Sequence, residues 1–372
     1  MIVAEHFGFV VGIDTHAKTH TLAIIDTASG GEIANETFPA TATGGNRALS
    51  WILRRTGASP EQVLLSMEGT GSYGAKLRQQ ACDAGFQVTE APVPNQRLGR
   101  YQGKSDAIDA TRAARAILSV PMDRLREPRS GQNQMVLRIL TSARRSMARE
   151  RTAAINALTA LLRVVDLAVD AHKPLTVTQI STIAAWRERD EDFGTQTCRR
   201  EAVRLAKQIL TLQEQMAKNH AELETLVQQV HPGLLNVYGI GPVLAAIILT
   251  AWSHTGRVQS EAAFAALAGT CPVPASSGGT TRFRLHRGGA RQLNKAIYTI
   301  ALIRMNRDQA TKDYVAKRTS QGRNKKEIIR SLKRYITRQI YRQLTSVPSP
   351  LETVPPAGRV GLMPGHTQAY SG

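Results

Sequence analysis

The chain has 372 residues, of which 42% are hydrophobic and 21% are charged, which excludes a disordered or fibrous protein and predicts two or three domains with cores. The formal net charge of +19 and the pI near 10.4 predict a polyanionic partner, with nucleic acid as the natural candidate. Three scattered cysteines indicate neither a zinc site nor disulfides. No apolar run approaches the ~20 residues that span a bilayer, and no signal peptide is evident. We therefore expect a cytoplasmic protein without a membrane partner.

The first third of the sequence alternates strand and helix patterns. Strands are predicted twice within 9–26 and once each in 31–39, 62–67 and 87–93, and helices in 44–56, in 72–84 and from 106 onward. The resulting order β-β-β-α-β-α-β-α is that of the RNase H fold. The predicted fold class is thus α/β in the first domain, followed by mostly helical segments.

Four carboxylates lie near the ends of these predicted strands and helices. Asp14 lies in the first strand and Glu68 follows the strand at 62–67. Asp106 and Asp109 are three residues apart at the start of a helix, where they share one face. By itself such a pair most often complements the helix dipole and caps free amides. Two further acids at strand ends shift the interpretation to a metal site.

Two long helices are predicted in the middle of the chain, at 132–165 and 201–230, with a loop and a short helix near 180–187 between them. The second has a heptad seam made of Leu205, Ile209, Leu212, Met216, Asn219, Leu223, Leu226 and Val230. Asn219 is a polar residue at a core position, of the type that fixes register. The seam is compatible with a helical hairpin inside one chain and with a dimerising coiled coil, and both interpretations stay open.

Gly239 and Gly241 separate two apolar helical segments in a manner that resembles a helix-hairpin-helix turn. In such a turn, small residues allow backbone amides to approach a phosphate at a helix N-terminus. A single Gly-x-Gly is also compatible with a tight turn between buried helices. Contact with the DNA backbone is the favoured interpretation.

The C-terminal third carries most of the positive charge. A Ser-Ser-Gly-Gly segment at 276–279 is followed by Arg282, Arg284 and Arg287. Farther on, apolar residues recur every four positions within 328–344, and Arg330, Arg334 and Arg338 recur every four positions two residues later. Residues two positions apart lie on roughly opposite faces of a helix. The arginines are therefore predicted to form a basic stripe that contacts nucleic acid. The Pro- and Gly-rich segment 346–372 is predicted to be a disordered tail.

Five motifs together resemble the DEDD transposases of bacterial insertion sequences, a Piv invertase-like family of bridge-RNA-guided recombinases. They are Gly-Ile-Asp-Thr-His around Asp14, Met-Glu-Gly-Thr-Gly around Glu68, Lys-Ser-Asp-Ala-Ile-Asp-Ala around Asp106 and Asp109, Gly-Ile-Gly-Pro at 239–242, and Ser-Ser-Gly-Gly at 276–279. The resemblance implies a RuvC-like domain at 1–130, a coiled-coil region at 131–230 and a transposase domain at 231–345. Within the last domain it implies that Ser277 is the nucleophile.

The resemblance also implies cofactor and partners. The expected cofactor is Mg²⁺, held by Asp14, Glu68, Asp106 and Asp109. The expected partners are DNA, a structured non-coding guide RNA, and further copies of the chain in a homo-oligomer, either a dimer or a tetramer on DNA. The expected function is a site-specific recombinase that cuts and rejoins DNA. The alternatives are a RuvC-like metal-dependent nuclease of the junction-resolvase type, in which water replaces the serine, and a non-catalytic nucleic-acid-binding protein.

Overall fold

A computed structural model describes residues 1–92, 105–274, 283–286 and 288–346. The chain forms two compact units, which meet in the sequence between Arg129 and Ser130. The first unit is mixed α/β and the second is mostly helical, as the sequence patterns predicted. Among the helices that the structure describes, none is both long and apolar enough to cross a membrane.

A five-stranded mixed sheet organises the first unit. Its strands are β1 (Phe9–Thr15), β2 (Thr19–Asp26), β3 (Glu32–Pro39), β4 (Val63–Met67) and β5 (Gln87–Glu90). The spatial order is β3-β2-β1-β4-β5, with the first three strands antiparallel and β4 and β5 parallel to β1. This topology is consistent with an RNase H-like domain.

Helices cover both faces of this sheet. They are α1 (Val3–His6), α2 (Ala42–Thr56), α3 (Ala75–Asp83) and α4 (Asp106–Arg115). Val11 and Ile13 point to the core shared with α2 and α3, whereas Val10 faces the core that contains Ala114 of α4. Because successive strand residues alternate between faces, β1 is apolar on both sides, which explains its uninterrupted hydrophobic run.

A hairpin of two long helices opens the second unit. The long helices are α5 (Gln132–Val164) and α7 (Phe193–Val230), and the short helix α6 (Val177–Ala184) lies between them in the sequence. Asn219 donates a hydrogen bond from Nδ2 to the carbonyl oxygen of Leu140 (3.1 Å), and Arg144 donates one from Nη1 to the carbonyl oxygen of Met216 (2.8 Å). Asn219, the polar residue of the heptad seam, therefore finds a hydrogen-bond partner within the same chain. The coiled coil between subunits stays a prediction.

Five further helices and a small hairpin complete this unit. They are α8 (Pro242–Trp252), α9 (Glu261–Leu267), α10 (Arg291–Arg307), α11 (Gln309–Ser320) and α12 (Lys325–Ser346), with β6 (Pro272–Pro274) antiparallel to β7 (Phe283–Leu285). Leu223, Val227 and Val230 at the end of α7 belong to the same hydrophobic core as these helices. The predicted boundaries at residues 130, 230 and 345 stay predictions. The predicted tail at 346–372 lies outside the described residues apart from Ser346.

The last helix is amphipathic, as its sequence period predicts. Ile328, Leu332, Ile336, Ile340 and Leu344 are buried in the core. Arg330 and Arg342 are exposed, and Arg334 and Arg338 are partly exposed. The buried face also contains one charged residue, Lys333, which the period of four did not single out.

Candidate functional site

Helix α4 lies directly on the centre of the sheet. A Cβ atom at Gly12 of β1 would lie 1.8 Å from the carbonyl oxygen of Ala110 and 2.6 Å from the amide nitrogen of Ala114, so only glycine allows this approach. On the neighbouring strand β4, Ser66 donates a buried hydrogen bond from Oγ to the carbonyl oxygen of Ala113 (2.7 Å). These contacts fix the helix against β1 and β4.

The four predicted acids lie on the elements that meet at this junction. Asp14 is two residues beyond Gly12 and thus points to the same face of the sheet, the face covered by α4. Asp109 immediately precedes Ala110, and Asp106 begins the helix, with Ser105 Oγ accepting a capping hydrogen bond from the amide of Ile108 (3.3 Å). Three elements, β1, the end of β4 and α4, thus supply the carboxylates.

Glu68 is held at the end of β4 by contacts with β1. Its amide donates a hydrogen bond to the carbonyl oxygen of Ile13 (3.1 Å), and Thr15 Oγ1 donates one to the Glu68 carbonyl oxygen (3.0 Å). Burial raises the pKa of the Glu68 carboxyl, and the negative charges of Asp14 and Asp109 raise this pKa further, while His16 lowers it. The acid on β4 therefore lies within electrostatic reach of acids from β1 and α4.

His16 joins two of these elements. Its Nε2 atom lies 3.0 Å from Oδ2 of Asp14 and 3.5 Å from Oδ1 of Asp106. One ligand atom of each of these three residues lies within 4.8 Å of the others. On α4, Arg112 contacts Asp109 across one helical turn, with 3.1 Å between Nη1 and Oδ1. The imidazole therefore bridges the β1 and α4 carboxylates.

This donor set fits a divalent cation. Carboxylate oxygens are the ligands that Mg²⁺ prefers, and four acids that share one junction repel one another unless a cation neutralises them. Asp14 is buried and Asp106 is exposed, so the cluster extends from the sheet to solvent. Sequence reasoning predicted the acids but missed His16. The signal was its position two residues after Asp14 in the Asp-Thr-His motif.

A basic cleft lies in the second unit and has a volume of about 1020 Å³. Its cationic lining residues are Arg284, Arg318, Arg323, Lys326, Arg330, Lys333, Arg334 and Arg338. Glu327 is the one acid among the described lining residues, and its Oε2 atom accepts a hydrogen bond from the amide of Asn324 (3.2 Å) at the start of α12. The cleft thus concentrates positive charge in the manner expected for a polyanion site.

The three arginines of the predicted stripe differ in their surroundings. Arg334 forms an ion pair with Glu261 at the start of α9, and Arg338 Nε lies 3.3 Å from the other carboxylate oxygen of that residue. The hydrogen bond from Arg334 lowers the pKa of Glu261, and the charges of both arginines add to this effect. Arg330 is exposed at the cleft. The stripe is therefore partly neutralised by an acid distant in sequence.

The remaining predicted site residues fall in two groups. Ser277, Arg282 and Arg287 lie outside the described residues. Gly239 adopts a positive φ of +82° and packs near Ile300, and Gly241 is the N-cap of α8. The two glycines thus form the tight turn before a helix that the sequence indicated, and their contact with DNA stays a prediction.

Two family profiles match the chain in these regions. A transposase profile for the DEDD proteins of IS110-type elements matches residues 11–167, which include all four acids, and a profile described as the transposase IS116/IS110/IS902 family matches residues 232–316. The chain belongs to this family of transposases. A relative with similar sequence is the insertion element IS110 uncharacterized 43.6 kDa protein of Streptomyces coelicolor. The two sequences are 29% identical over 134 residues, which cover 35% of this chain and 33% of the relative.

Proposed function

We propose that the protein is a DNA transposase, a site-specific recombinase that cuts and rejoins DNA strands to move its own element. The observation that carries the proposal is the meeting of Asp14 on β1 and Asp106 on α4 around His16, with ligand atoms within 4.8 Å of one another, because carboxylates from separate elements at one junction form a site suited to phosphodiester chemistry. Glu68 at the end of β4 adds a third element, since the charges of Asp14 and Asp109 act on its carboxyl group. The family match over both parts of the chain supports the same function. In this proposal the first unit is a RuvC-like member of the RNase H fold.

Asp14, Glu68, Asp106 and Asp109 would together hold the divalent metal, with Mg²⁺ as the expected ion because oxygen ligands dominate. When bound, the ion would polarise the scissile phosphate and stabilise charge on the attacking and leaving oxygens. The chain itself supplies positioning. The contact of Gly12 with α4 and the hydrogen bond from Ser66 hold the carboxylates of the helix at a fixed distance from those of the strands.

Ser277 would act as the nucleophile. Its Oγ atom would lose a proton and form a bond to phosphorus, while the bond from phosphorus to a bridging oxygen of the DNA breaks and the departing oxygen takes up a proton. The resulting phosphoserine link conserves the energy of the phosphodiester for rejoining. The proposal rests on the family resemblance of the Ser-Ser-Gly-Gly segment and on the position of Ser277 within the C-terminal family match.

A structured bridge RNA would supply sequence recognition by base pairing, while the protein recognises backbone shape, as in other RNA-guided enzymes. The net charge of +19 supports binding of two polyanions at once. We propose further that subunits associate through the α5–α7 region as a dimer, and as a tetramer on DNA. Metal and nucleophile would then meet only after assembly on the correct substrate.

The test is to trap the reaction on a nicked or mismatched substrate that slows rejoining, and then to search for a protein–DNA adduct by denaturing gel and peptide mass spectrometry. The expected adduct is on Ser277 and is lost in Ser277→Ala. The adjacent Ser276→Ala variant is the matched control and should retain it. Mixing Ser277→Ala with Asp14→Ala should restore the adduct if the two residues act from different subunits.

Two other results would identify other functions. Cleavage at normal rates in Ser277→Ala, with no adduct in the wild type, would indicate a hydrolytic nuclease of the junction-resolvase type. Retained DNA binding with no products, whether or not chelator is present, would indicate a binding protein without catalysis.

A further inference from the structure

Lys333 is a buried cation beside the basic cleft. It lies on the inner face of α12, next to Leu332 in the sequence, and 7% of its surface is exposed. It nevertheless lines the cleft together with Gly269 and Thr270. The proposed reaction does not use Lys333, and lysine is rarely buried to this extent without a partner.

The surroundings of Lys333 hold its ammonium group in a defined orientation. Its Nζ atom donates a hydrogen bond to Oδ1 of Asn294 on α10 (2.8 Å). Asn294 in turn donates from Nδ2 to the carbonyl oxygens of Ala268 (2.6 Å) and Gly269 (3.2 Å). Both amide protons of Asn294 are engaged, so its oxygen must face the lysine.

No carboxylate among the described residues forms an ion pair with Lys333. The one acid that lines the cleft, among the described residues, is Glu327, which accepts a hydrogen bond from the amide of Asn324, and Glu261 on α9 contacts Arg334 and Arg338. Burial lowers the pKa of Lys333. A buried ammonium group without an ionic partner is unfavourable in the free protein, and an incoming anion would reduce that cost.

We propose that Lys333 binds a phosphate of a DNA strand that occupies the cleft, and that Asn294 positions the lysine for this contact. The ammonium has three donors, of which Asn294 takes one, so two remain for phosphate oxygens. The proposal rests on the proposed function, because it takes DNA as the substrate.

The shape and charge of the cleft favour a nucleic-acid strand over a free phosphate ion. A volume of about 1020 Å³ is far larger than one phosphate group. The cations that line it come from separate elements, including Arg284 on β7, Arg318 on α11 and Arg330 on α12. Cations on separate elements can contact more than one phosphate of a strand, with Lys333 as the most buried contact.

The first experiment measures DNA binding and stability of Lys333→Met. With a short random-sequence DNA duplex, we expect affinity to fall about tenfold and the log-log salt slope to decrease by about one. Thermal unfolding should be unchanged or shifted upward, because an apolar side chain replaces a buried charge that has no ionic partner. The matched control is Lys207→Met on α7, an exposed lysine outside the cleft. A lower unfolding temperature with unchanged affinity would assign Lys333 a structural role and overturn the proposal.

The second experiment follows the titration of Lys333 by ¹³C NMR of protein labelled at the lysine ε-carbon, with the signal assigned from Lys333→Met. Adding the DNA duplex should move its pKa upward, whereas inorganic phosphate or RNA of the same sequence should move it less. An equal effect of inorganic phosphate would mean a simple anion site, and a response to RNA alone would exclude DNA as the ligand. Salt-dependent DNA binding without any change at Lys333 would overturn this inference alone, whereas absence of DNA binding would contradict the proposed function as well.

Discussion

A Cβ atom at Gly12 would lie 1.8 Å from the carbonyl oxygen of Ala110. This close approach of strand and helix sets the position of Asp109, which precedes Ala110, relative to Asp14, which follows Gly12 on the same side of β1. The geometry of the acidic cluster therefore depends on a residue that carries no functional group.

Gly12→Ala should displace α4 and lower the free energy of unfolding by about 1–3 kcal/mol, the usual cost of overpacking, or more if the backbone cannot shift. Metal binding should weaken because Asp106 and Asp109 move with the helix. The control is Gly8→Ala, where the new Cβ would meet its nearest neighbour at 4.0 Å. Denaturant unfolding and metal titration of both variants provide the test. Wild-type metal affinity in Gly12→Ala would show that α4 does not set the cluster.

Glu68→Gln should stabilise the metal-free protein at neutral pH. Burial and the charges of Asp14 and Asp109 raise the pKa of Glu68 above its ordinary value. Above this raised pKa, the ionised carboxylate is less favourable in the folded than in the unfolded protein, and this lowers the free energy of unfolding. Below the ordinary pKa the group is protonated in both states, so the penalty disappears.

The measurement is thermal unfolding of Glu68→Gln with chelator as a function of pH. The variant should unfold at a higher temperature than the wild type at neutral pH, and the difference should vanish in acid. Glu61→Gln, which replaces an exposed acid in the same unit, is the control. A destabilised Glu68→Gln at neutral pH would mean that favourable hydrogen bonds outweigh the repulsion.

The RNase H-like element order was predictable from the sequence, because strand and helix periods are local signals. The motifs around Asp14, Glu68 and Asp109 are local signals too, and a metal site made of the four acids stays a prediction. The amphipathic pattern of α12 was predictable for the same reason. The apolar and basic residues repeat at the helical period, and burial follows that repeat.

Contacts between distant residues were not predictable. Glu261 meets Arg334 across 73 positions, and no spacing rule connects them. Lys333 is one position away from the apolar residues that recur every four positions. The sequence period therefore did not predict its burial or its hydrogen bond with Asn294. The heptad seam of α7 is compatible with packing against a helix of the same chain and with packing against a second subunit. The hydrogen bond from Asn219 to the carbonyl oxygen of Leu140 shows the partner within the chain, and the sequence alone did not predict this bond.

His16→Ala should weaken binding of Co²⁺ more than binding of Mg²⁺. The His16 Nε2 atom lies beside Asp14 and Asp106, and imidazole nitrogen favours first-row transition metals over Mg²⁺, which prefers oxygen. Isothermal titration with each metal measures the difference, with the exposed His6→Ala as control. Equal losses for the two metals would mean that His16 acts only through its position beside the carboxylates and not as a ligand.

Glu261→Gln should increase affinity for DNA. The substitution releases Arg334 and Arg338 from their ion pairs, and each arginine that gains a phosphate contact steepens the log-log salt dependence by about one. Conversely, replacing Arg330, Arg334 and Arg338 together by alanine should weaken binding without sequence preference. Filter binding across a salt series tests both variants, with the exposed Glu222→Gln as control. An unchanged slope in the triple variant would show that the stripe does not contact DNA.

The central claim is that the four carboxylates form one divalent-metal site, and the most direct measurement is the shift in unfolding temperature on adding Mg²⁺. The wild type should be stabilised, because binding to the folded state alone raises its free energy of unfolding. Asp14→Asn, Glu68→Gln, Asp106→Asn and Asp109→Asn should each remove or sharply reduce the shift and abolish DNA cleavage, whereas Glu61→Gln should retain both. Absence of a shift in the wild type, or a full shift with normal cleavage in any two of the four variants, would contradict the account.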